Sequence, residues 1–214
     1  MPEQQHIILP EPTLRRLPWY LAYIDILRSQ GVKTVSSTKI AKAINVDSSI
    51  IAKDLSFLNV RGKTRIGYEV NLLSEVLSNF LGFKQSHKAV VVGVGSLGAS
   101  LIHDTGLANY GLDIVAGFDT NPALIGTEIC GIPIHNINEF AQVREATDAT
   151  IGILTVPFTQ AQDAADTMVA AGIKAIWNFT PCRVRIGEGI VMTSTSIYAH
   201  LALIYNRLEA NGSL

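Results

Sequence analysis

A glycine-rich turn in the middle of the chain constrains the fold more than any other feature. The β-branched run 88–92 is followed at once by Gly93-Val94-Gly95-Ser96-Leu97-Gly98, a complete G-x-G-x-x-G, and then by an apolar helical pattern. The first glycine permits a tight turn, the second admits a pyrophosphate, and the third allows close packing of helix on strand. The helix amino end supplies N–H groups and partial positive charge. We therefore expect a strand, turn and helix that bind a dinucleotide through residues 93–98.

An acidic residue ends the next predicted strand. That strand covers 112–118, and Asp119 follows it, 26 positions after Gly93. A carboxylate there can accept hydrogen bonds from a ribose diol and repel a 2′-phosphate, which favours NADH/NAD+ over the phosphorylated pair.

The carboxyl-terminal half continues in the same alternating pattern. Strands are predicted at 129–134, 150–156 and 173–179, with helices at 138–146 and 161–171 between them. Thr155, Val156 and Pro157 come at the carboxyl end of a strand, where open α/β sheets bind their ligands. They either line the nucleotide pocket or form a simple strand-ending turn. The half is predicted to be a doubly wound parallel sheet, the α/β Rossmann fold.

The first eighty residues precede this fold and need an account of their own. Leu17, Leu21, Ile24 and Leu27 recur at helical spacing up to Gly31, with Pro18 in the first turn or at a kink. Serines at 36–37 cap a second short helix, a turn follows at 45–47, and serines at 48–49 open a third. This order predicts a helix-turn-helix.

The third helix has two different faces. Ile51, Leu55 and Leu58 point inward, while Ser49, Ala52, Lys53 and Ser56 lie opposite. Residues 61–70 alternate basic and apolar positions around two glycines, which predicts a hairpin wing whose Lys63 and Arg65 contact phosphates. The alternative is a three-helix scaffold whose polar face meets only water. The fold class is thus a Rossmann domain preceded by an α+β winged-helix DNA-binding domain.

Charge and composition agree with two different halves. Residues 1–80 hold ten Lys/Arg against seven Asp/Glu, while 81–214 hold seven against eleven. The start carries no secretory pattern and no apolar run is long enough for a membrane span, so the expected location is cytoplasmic. Only two cysteines are present, Cys130 and Cys182, and we expect both to be reduced core thiols without a metal site.

Catalytic residues are not expected. The five histidines are scattered, none has an evident carboxylate partner in a motif, and little chain remains after Phe179 to build a substrate domain. We therefore predict binding without chemistry. The last helix, 194–208, is apolar on more than one face and packs either on a second copy or on its own sheet. The expected divisions are 1–85 for the DNA-binding domain, 86–193 for the NAD(H)-binding domain and 194–214 for a terminal helix exchanged in a dimer.

The chain resembles the Rex family of redox-sensing transcriptional repressors over nearly its whole length. The matching stretches include LRRLPWY, VSSTKIAKAINVDSSIIAKDLSFL, GKTRIGYEV, VVGVGSLGASL and GFDTNPALIGTEICGIPIHNI. The resemblance implies a cytosolic homodimer that binds double-stranded operator DNA when NADH is scarce and releases it when NADH binds. With the residue pattern, it makes these residues candidate DNA contacts: Arg16, Ser36, Ser37, Lys39, Ser48, Ser49, Lys53, Ser56, Lys63, Arg65 and Tyr68.

Four positions depart from the family pattern. They are Ala52 for a basic residue of the third helix, Ser96 for asparagine in the glycine turn, Asp104 for tyrosine, and Ser196 for the aspartate at the start of the terminal helix. The family pattern implies that these changes affect the coupling of NADH to DNA rather than the fold. Two further hypotheses stay open: an NAD- or CoA-binding enzyme with an added helical domain, and a regulator that has lost redox sensing. The operator and the regulated genes are not encoded in any recognisable motif.

Overall fold

The computed structural model describes residues 9–211, and the outer parts of the two terminal divisions expected above lie outside them. The chain separates into two compact units, the first ending at Lys84 and the second beginning at Gln85. The terminal helix belongs to the second unit.

The first unit is a small helical domain with its own core. Its elements are α1 (Glu11–Ser29), β1 (Thr34–Val35), α2 (Ser37–Ile44), α3 (Ser48–Ser56), β2 (Tyr68–Glu69) and α4 (Val70–Phe80). Pro18 lies inside α1 rather than in its first turn. The predicted apolar stripe of α1 is buried, and it packs with Ile51, Leu55 and the apolar side chains of α4 in one core.

Local capping explains how α2 and α3 begin and end. The Ser36 hydroxyl accepts the Lys39 N–H at 3.1 Å, and α2 stops at Asn45, whose φ of 56° is left-handed. The Asp47 carboxylate accepts the Ser49 N–H at 2.8 Å and opens α3. Helix, tight turn and helix therefore follow each other as the sequence predicts.

The wing is smaller than expected. Lys63 and Gly67 exchange two backbone hydrogen bonds of 2.8 Å, which closes a tight turn with Arg65 at a φ of 65°. The following β2 does not continue this hairpin and instead pairs antiparallel with β1. Tyr68 is a correction to the expected DNA contacts. Its side chain is only 7% exposed and packs in the core, where a side chain at Gly62 would meet its ring.

The second unit is built on a seven-stranded sheet. Its strands are β3 (His87–Val92), β4 (Leu112–Asp119), β5 (Glu128–Ile129), β6 (Ile132–Asn136), β7 (Ile151–Leu154), β8 (Ala175–Asn178) and β9 (Val191–Ser194). Its helices are α5 (Ser96–His103), α6 (Phe140–Thr147), α7 (Ala161–Ala170) and α8 (Ile197–Ala210). The order is β5-β6-β4-β3-β7-β8-β9, with every pair parallel except β5 and β6. From β6 to β9 this is the doubly wound Rossmann order.

Both faces of this sheet are covered, as a parallel sheet requires. Val90 and Val92 of β3 point into one core, while Ala89 and Val91 point into the other. One local expectation was wrong. Residues 129–134 are not one strand, because Cys130 and Gly131 both take positive φ and turn β5 back onto β6. A further strand that the sequence pattern does not predict, β9, lies beside β8 just before α8.

The thiols are not both in the core. Cys130 is exposed in the β5–β6 turn, with its Sγ 2.9 Å from His103 Nδ1, and Cys182 is partly buried. A residue at a two-residue hairpin tip cannot reach the sheet core, so the expectation was wrong for Cys130. Within residues 9–211 no helix combines the length and apolar character needed to cross a bilayer.

Candidate dinucleotide cavity and DNA-binding face

A cavity of about 1010 Å³ opens in the second unit at the carboxyl ends of β3, β4, β7 and β8. It lies where the strand order reverses between β3 and β7, the position at which doubly wound sheets bind ligands. Of the predicted cofactor residues, the following line it: Gly93, Gly95, Leu97, Asp119, Thr155, Val156 and Pro157. The other three, Val94, Ser96 and Gly98, shape the turn behind it.

Each glycine of the turn has a distinct steric reason. Gly93 has a φ of 94°, and a Cβ there would lie 2.8 Å from Val156. A Cβ on Gly98 would lie 2.1 Å from the Gly93 carbonyl oxygen, so only glycine lets α5 approach β3 this closely. Gly95 is different, since a Cβ there meets nothing within 4 Å. Its missing side chain leaves open the space in front of the α5 amino end, which suits the approach of a pyrophosphate.

Asp119 is positioned by the backbone around it. Its Oδ2 accepts the Val94 N–H at 2.7 Å, and its Oδ1 accepts the Asn121 N–H at 2.8 Å. A carboxylate has about four acceptor positions, so both oxygens can still accept ribose hydroxyls. The carboxylate therefore fixes the glycine turn and faces the cavity at the same time.

Thr155 joins the ends of two strands. Its hydroxyl donates to the Gly93 carbonyl at 2.6 Å, and its N–H donates to the Val92 carbonyl at 2.9 Å. The Thr155 hydroxyl therefore already donates its hydrogen bond within the protein. Val156 and Pro157 complete the cavity wall.

Part of the cavity wall lies outside the predicted cofactor residues. Thr180 and Pro181 follow β8, and Ile197 and Tyr198 come from the first turn of α8. Asn178 holds this wall, because its fully buried amide accepts the Thr180 N–H and donates to the Cys182 carbonyl. A polar residue at the end of a buried strand is the sequence signal for this wall. Asp104, one of the family departures, is not among the cavity residues; it accepts the Gly106 N–H after α5.

The first unit exposes a polar face on α2, α3 and the wing. Lys39, Lys53, Lys63 and Arg65 are exposed, as are Ser36, Ser49 and Ser56, while Ser37 and Ser48 are partly buried. Several hydroxyls also have local partners: Ser49 donates to Asp47, and Ser56 donates to the Lys53 carbonyl. The cations have no such tie among the hydrogen bonds and ion pairs described. This face can therefore offer mobile positive charge to a phosphate backbone.

Arg16 does not share that freedom. Its Nε lies 2.7 Å from Asp54 Oδ2, and its side chain is 21% exposed. The Asp54 side chain is 2% exposed, and it also accepts from Thr13 and Tyr20. Burial acts to raise the pKa of Asp54, but these hydrogen bonds hold it below its usual range, and the Asp54 partner raises the pKa of Arg16. Burial likewise raises the pKa of Tyr20.

No metal site accompanies either surface in residues 9–211, where no group of three or more His, Cys, Asp or Glu could hold an ion. His135 lies 3.7 Å from Glu139, outside the cavity.

Comparison with known proteins decides the family. A family model described as "Putative DNA-binding protein N-terminus" matches residues 8–56, and one described as "CoA binding domain" matches residues 84–182. The redox-sensing transcriptional repressor Rex of Bacteroides thetaiotaomicron is 56% identical over 203 residues, covering 95% of this chain and 92% of the relative. That of Porphyromonas gingivalis is 53% identical over 202 residues, covering 94% and 93%. The chain belongs to the Rex family.

Solved structures agree over the same length. The crystal structure of RSP in complex with β-NAD+ and operator DNA has a TM-score of 0.91 and 30% identity, covering 96% of this chain and 94% of that one. RSP in complex with β-NADH has a TM-score of 0.85 at 30% identity, covering 96% of each chain. The Rex relatives are repressors rather than enzymes, which agrees with the prediction of binding without chemistry.

Proposed function

We propose that this chain represses transcription by binding operator DNA, and that NADH in the cavity of the second unit releases it. The observation that carries this proposal is the presence in one chain of an exposed helix-turn-helix face and a Rossmann cavity with an acidic strand end. NADH and NAD+ are the effectors, and no covalent step is required of the protein. The division into a DNA-binding domain of 1–85, a nucleotide domain of 86–193 and a terminal helix of 194–214 belongs to this proposal.

The residues have distinct roles in the nucleotide site. The backbone from Gly93 to Gly98 faces the pyrophosphate, with Gly95 leaving the space and the amino end of α5 giving positive potential. Asp119 accepts hydrogen bonds from the ribose and excludes a 2′-phosphate. Thr155, Val156 and Pro157 border the cavity on the β7 side.

On DNA, the cationic residues and the serines of α2 and α3 contact different parts of the duplex. Ser49, Lys53 and Ser56 on α3 face the major groove, with Ser48 at the start of the helix. Lys63 and Arg65 in the wing contact phosphates. Ser36, Ser37 and Lys39 at the start of α2 contact the backbone beside the groove.

The working species is a homodimer in the cytoplasm. Helix α8 exposes seven large apolar side chains, which a second copy would cover: Ile197, Tyr198, Leu201, Leu203, Ile204, Tyr205 and Leu208. We propose that α8 is exchanged between subunits. The two DNA-binding domains of the dimer then contact two half-sites. The distance between these domains determines whether both fit successive major grooves.

Redox sensing requires that the dimer has two arrangements with different affinities for the two nucleotides. A ligand shifts such an equilibrium only by its differential affinity for the two states. We propose that the NADH-bound dimer favours a closed arrangement of its nucleotide domains. In this arrangement the spacing of the two DNA-binding domains no longer matches the operator.

The test uses the full chain and an operator duplex selected from a random-sequence library. Fluorescence polarisation follows the complex while NADH or NAD+ is added, and the proposal expects release by NADH at concentrations where NAD+ has little effect. A complex that persists at saturating NADH contradicts it. Operator binding with no nucleotide affinity would identify a regulator that has lost sensing.

The family description that matches residues 84–182, "CoA binding domain", suggests coenzyme A as a second candidate ligand. A thermal-shift competition distinguishes the two. NADH is expected to raise the melting temperature of the second unit and CoA is not; preferential stabilisation by CoA would favour the alternative.

A further inference from the structure

One buried carboxylate ties the recognition helix α3 to α1. Asp54 Oδ1 accepts from Thr13 Oγ1 and Arg16 Nη2, both at 2.9 Å. Its Oδ2 accepts from Arg16 Nε at 2.7 Å and from Tyr20 Oη at 2.6 Å. All four acceptor positions of a carboxylate are therefore used, and its side chain is 2% exposed.

This cluster can fix the rotation of α3 about its own axis. Lys53 precedes Asp54 by one residue and Ser56 follows it by two, so they point about 100° and 200° away around the helix. Apolar contacts of Ile51 and Leu55 tolerate small rotations, whereas charge-assisted bonds to the rigid fork of a guanidinium do not. Among the side-chain hydrogen bonds described, the others of α3 go only to its cap residue Asp47 or stay within the helix.

Arg16 is committed to this internal task. Its Nε and Nη2 both donate to Asp54, and Nη2 also lies 3.4 Å from Thr13 Oγ1. The pair is formally neutral, so it adds little to the positive potential that attracts a phosphate. The bidentate geometry suits carboxylate recognition inside the protein.

We propose that Arg16 and Asp54 are positioning residues that set the orientation of α3 for sequence-specific DNA binding, and that Arg16 is not a phosphate contact. This inference rests on the proposed function and replaces the role that the family resemblance gives to Arg16. It applies to sequence discrimination, because non-specific binding depends on the exposed cations.

Electrostatics alone predicts the opposite result for one variant, which makes the test decisive. Asp54→Asn removes a negative charge from the DNA-binding unit. If Arg16 were a phosphate contact restrained by Asp54, this variant would bind all DNA more tightly and with a steeper salt dependence. If the pair positions α3, operator affinity falls by about tenfold, while affinity for an unrelated duplex of equal length changes less than about twofold.

Arg16→Lys supplies the second arm, since it keeps the charge and loses the fork. We expect the same selective loss of operator affinity, with the slope of log affinity against log salt unchanged from that of the wild-type chain. Operator binding by Arg16→Lys or Asp54→Asn at wild-type strength would overturn the proposal. So would a uniform loss on both duplexes with a reduced salt slope.

The matched control is Asp25→Asn. Asp25 also lies on α1, but it is more exposed and accepts from Ser74. It loses the same charge without touching α3, and its operator affinity is expected not to fall. If Asp54→Asn fails to fold, Tyr20→Phe decides, because it keeps the ring and removes only the hydroxyl, with its 2.6 Å bond to Asp54 and the 3.2 Å bond it accepts from Arg16 Nε. We expect about a threefold selective loss; unchanged operator affinity would overturn the proposal.

The wild-type chain separates this inference from the proposed function. A wild-type protein that prefers no duplex would overturn the function itself. A wild-type protein that prefers its operator, beside unaffected Asp54 and Tyr20 variants, would overturn only the positioning role.

Discussion

The two units present their functional groups in opposite ways. In the second unit we propose that the turn after β3 binds nucleotide through backbone amides and through the absence of side chains at Gly93, Gly95 and Gly98. In the first unit we propose that the face of α3 binds DNA through exposed side chains such as Lys53. A site built from backbone is sensitive to added atoms, whereas a face built from side chains is sensitive to removed ones. Substitutions of each kind test whether this contrast is real.

The largest effect is expected from an added methyl group at Gly98. The Cβ of Gly98→Ala would lie 2.1 Å from the Gly93 carbonyl, so α5 must move away from β3. We expect a loss of roughly 3 kcal/mol in the free energy of unfolding of the second unit and loss of NADH binding. Urea denaturation and calorimetric titration measure both. Gly187→Ala, which meets nothing within 4 Å, is the control; equal behaviour of the two variants would contradict the packing role.

Removal of the Asp119 carboxylate is expected to change nucleotide specificity, in addition to the cost of leaving the Val94 N–H without its acceptor. In Asp119→Ala the acceptor for the ribose diol and the charge that repels a 2′-phosphate are both absent. We expect the preference for NADH over NADPH to fall by about tenfold. The ratio of the two dissociation constants, measured on the same preparation, is the readout. An unchanged ratio would mean that the ribose binds elsewhere.

Truncation of Lys53 is expected to weaken DNA binding through the loss of one exposed cation. For Lys53→Ala we expect about a fivefold lower operator affinity at physiological salt, and a salt slope smaller by about one if the ammonium meets a phosphate. Lys174→Ala removes the same charge from the second unit and serves as the control. Identical titrations for both variants would place Lys53 outside the interface.

The smallest effect is confined to acid pH and concerns the core of the first unit. The pKa of Asp54 is lower in the folded chain than in the unfolded one. Its contribution to stability is therefore complete above the unfolded value of about 4 and is lost as the pH falls through the folded value. The difference in free energy of unfolding between the wild-type chain and Asp54→Asn should shrink only below that pH. A difference that already declines between pH 7 and pH 5 would contradict this assignment.

Sequence reasoning worked best where the backbone alone determines the function. The glycine turn, the strand that ends at Asp119 and the Ser36 cap of α2 are local patterns, and each lies where the sequence predicts it. The cap of α3 is Asp47 rather than one of the two serines that follow it. Asp54 was missed although the sequence contains a signal for it: this carboxylate lies among the inward-facing apolar residues Ile51 and Leu55 of α3. A carboxylate on an apolar face needs a partner, and only tertiary structure supplies Arg16.

Other differences come from contacts that no local pattern contains. The sequence predicts that Tyr68 is an exposed aromatic residue beside basic residues. The pairing of β2 with β1 instead directs its side chain into the core. The strand β9 is short and mostly exposed, so only its pairing with β8 defines it. The Cys130-Gly131 turn divides one apolar run into two strands. It was not predicted, because positive φ at both residues has no unique sequence signature.

We propose that a nucleotide in the cavity of the second unit controls DNA binding by the α3 face of the first unit. Gly95→Ala tests this coupling most directly. The added methyl group meets no protein atom within 4 Å, so the fold and operator binding without nucleotide should match the wild-type chain. The same methyl group occupies the space for the pyrophosphate, and NADH affinity should fall by about thirtyfold. In a polarisation titration we predict that NADH releases the wild-type chain from its operator at concentrations that leave Gly95→Ala bound. Release of both proteins at the same NADH concentration would contradict the account.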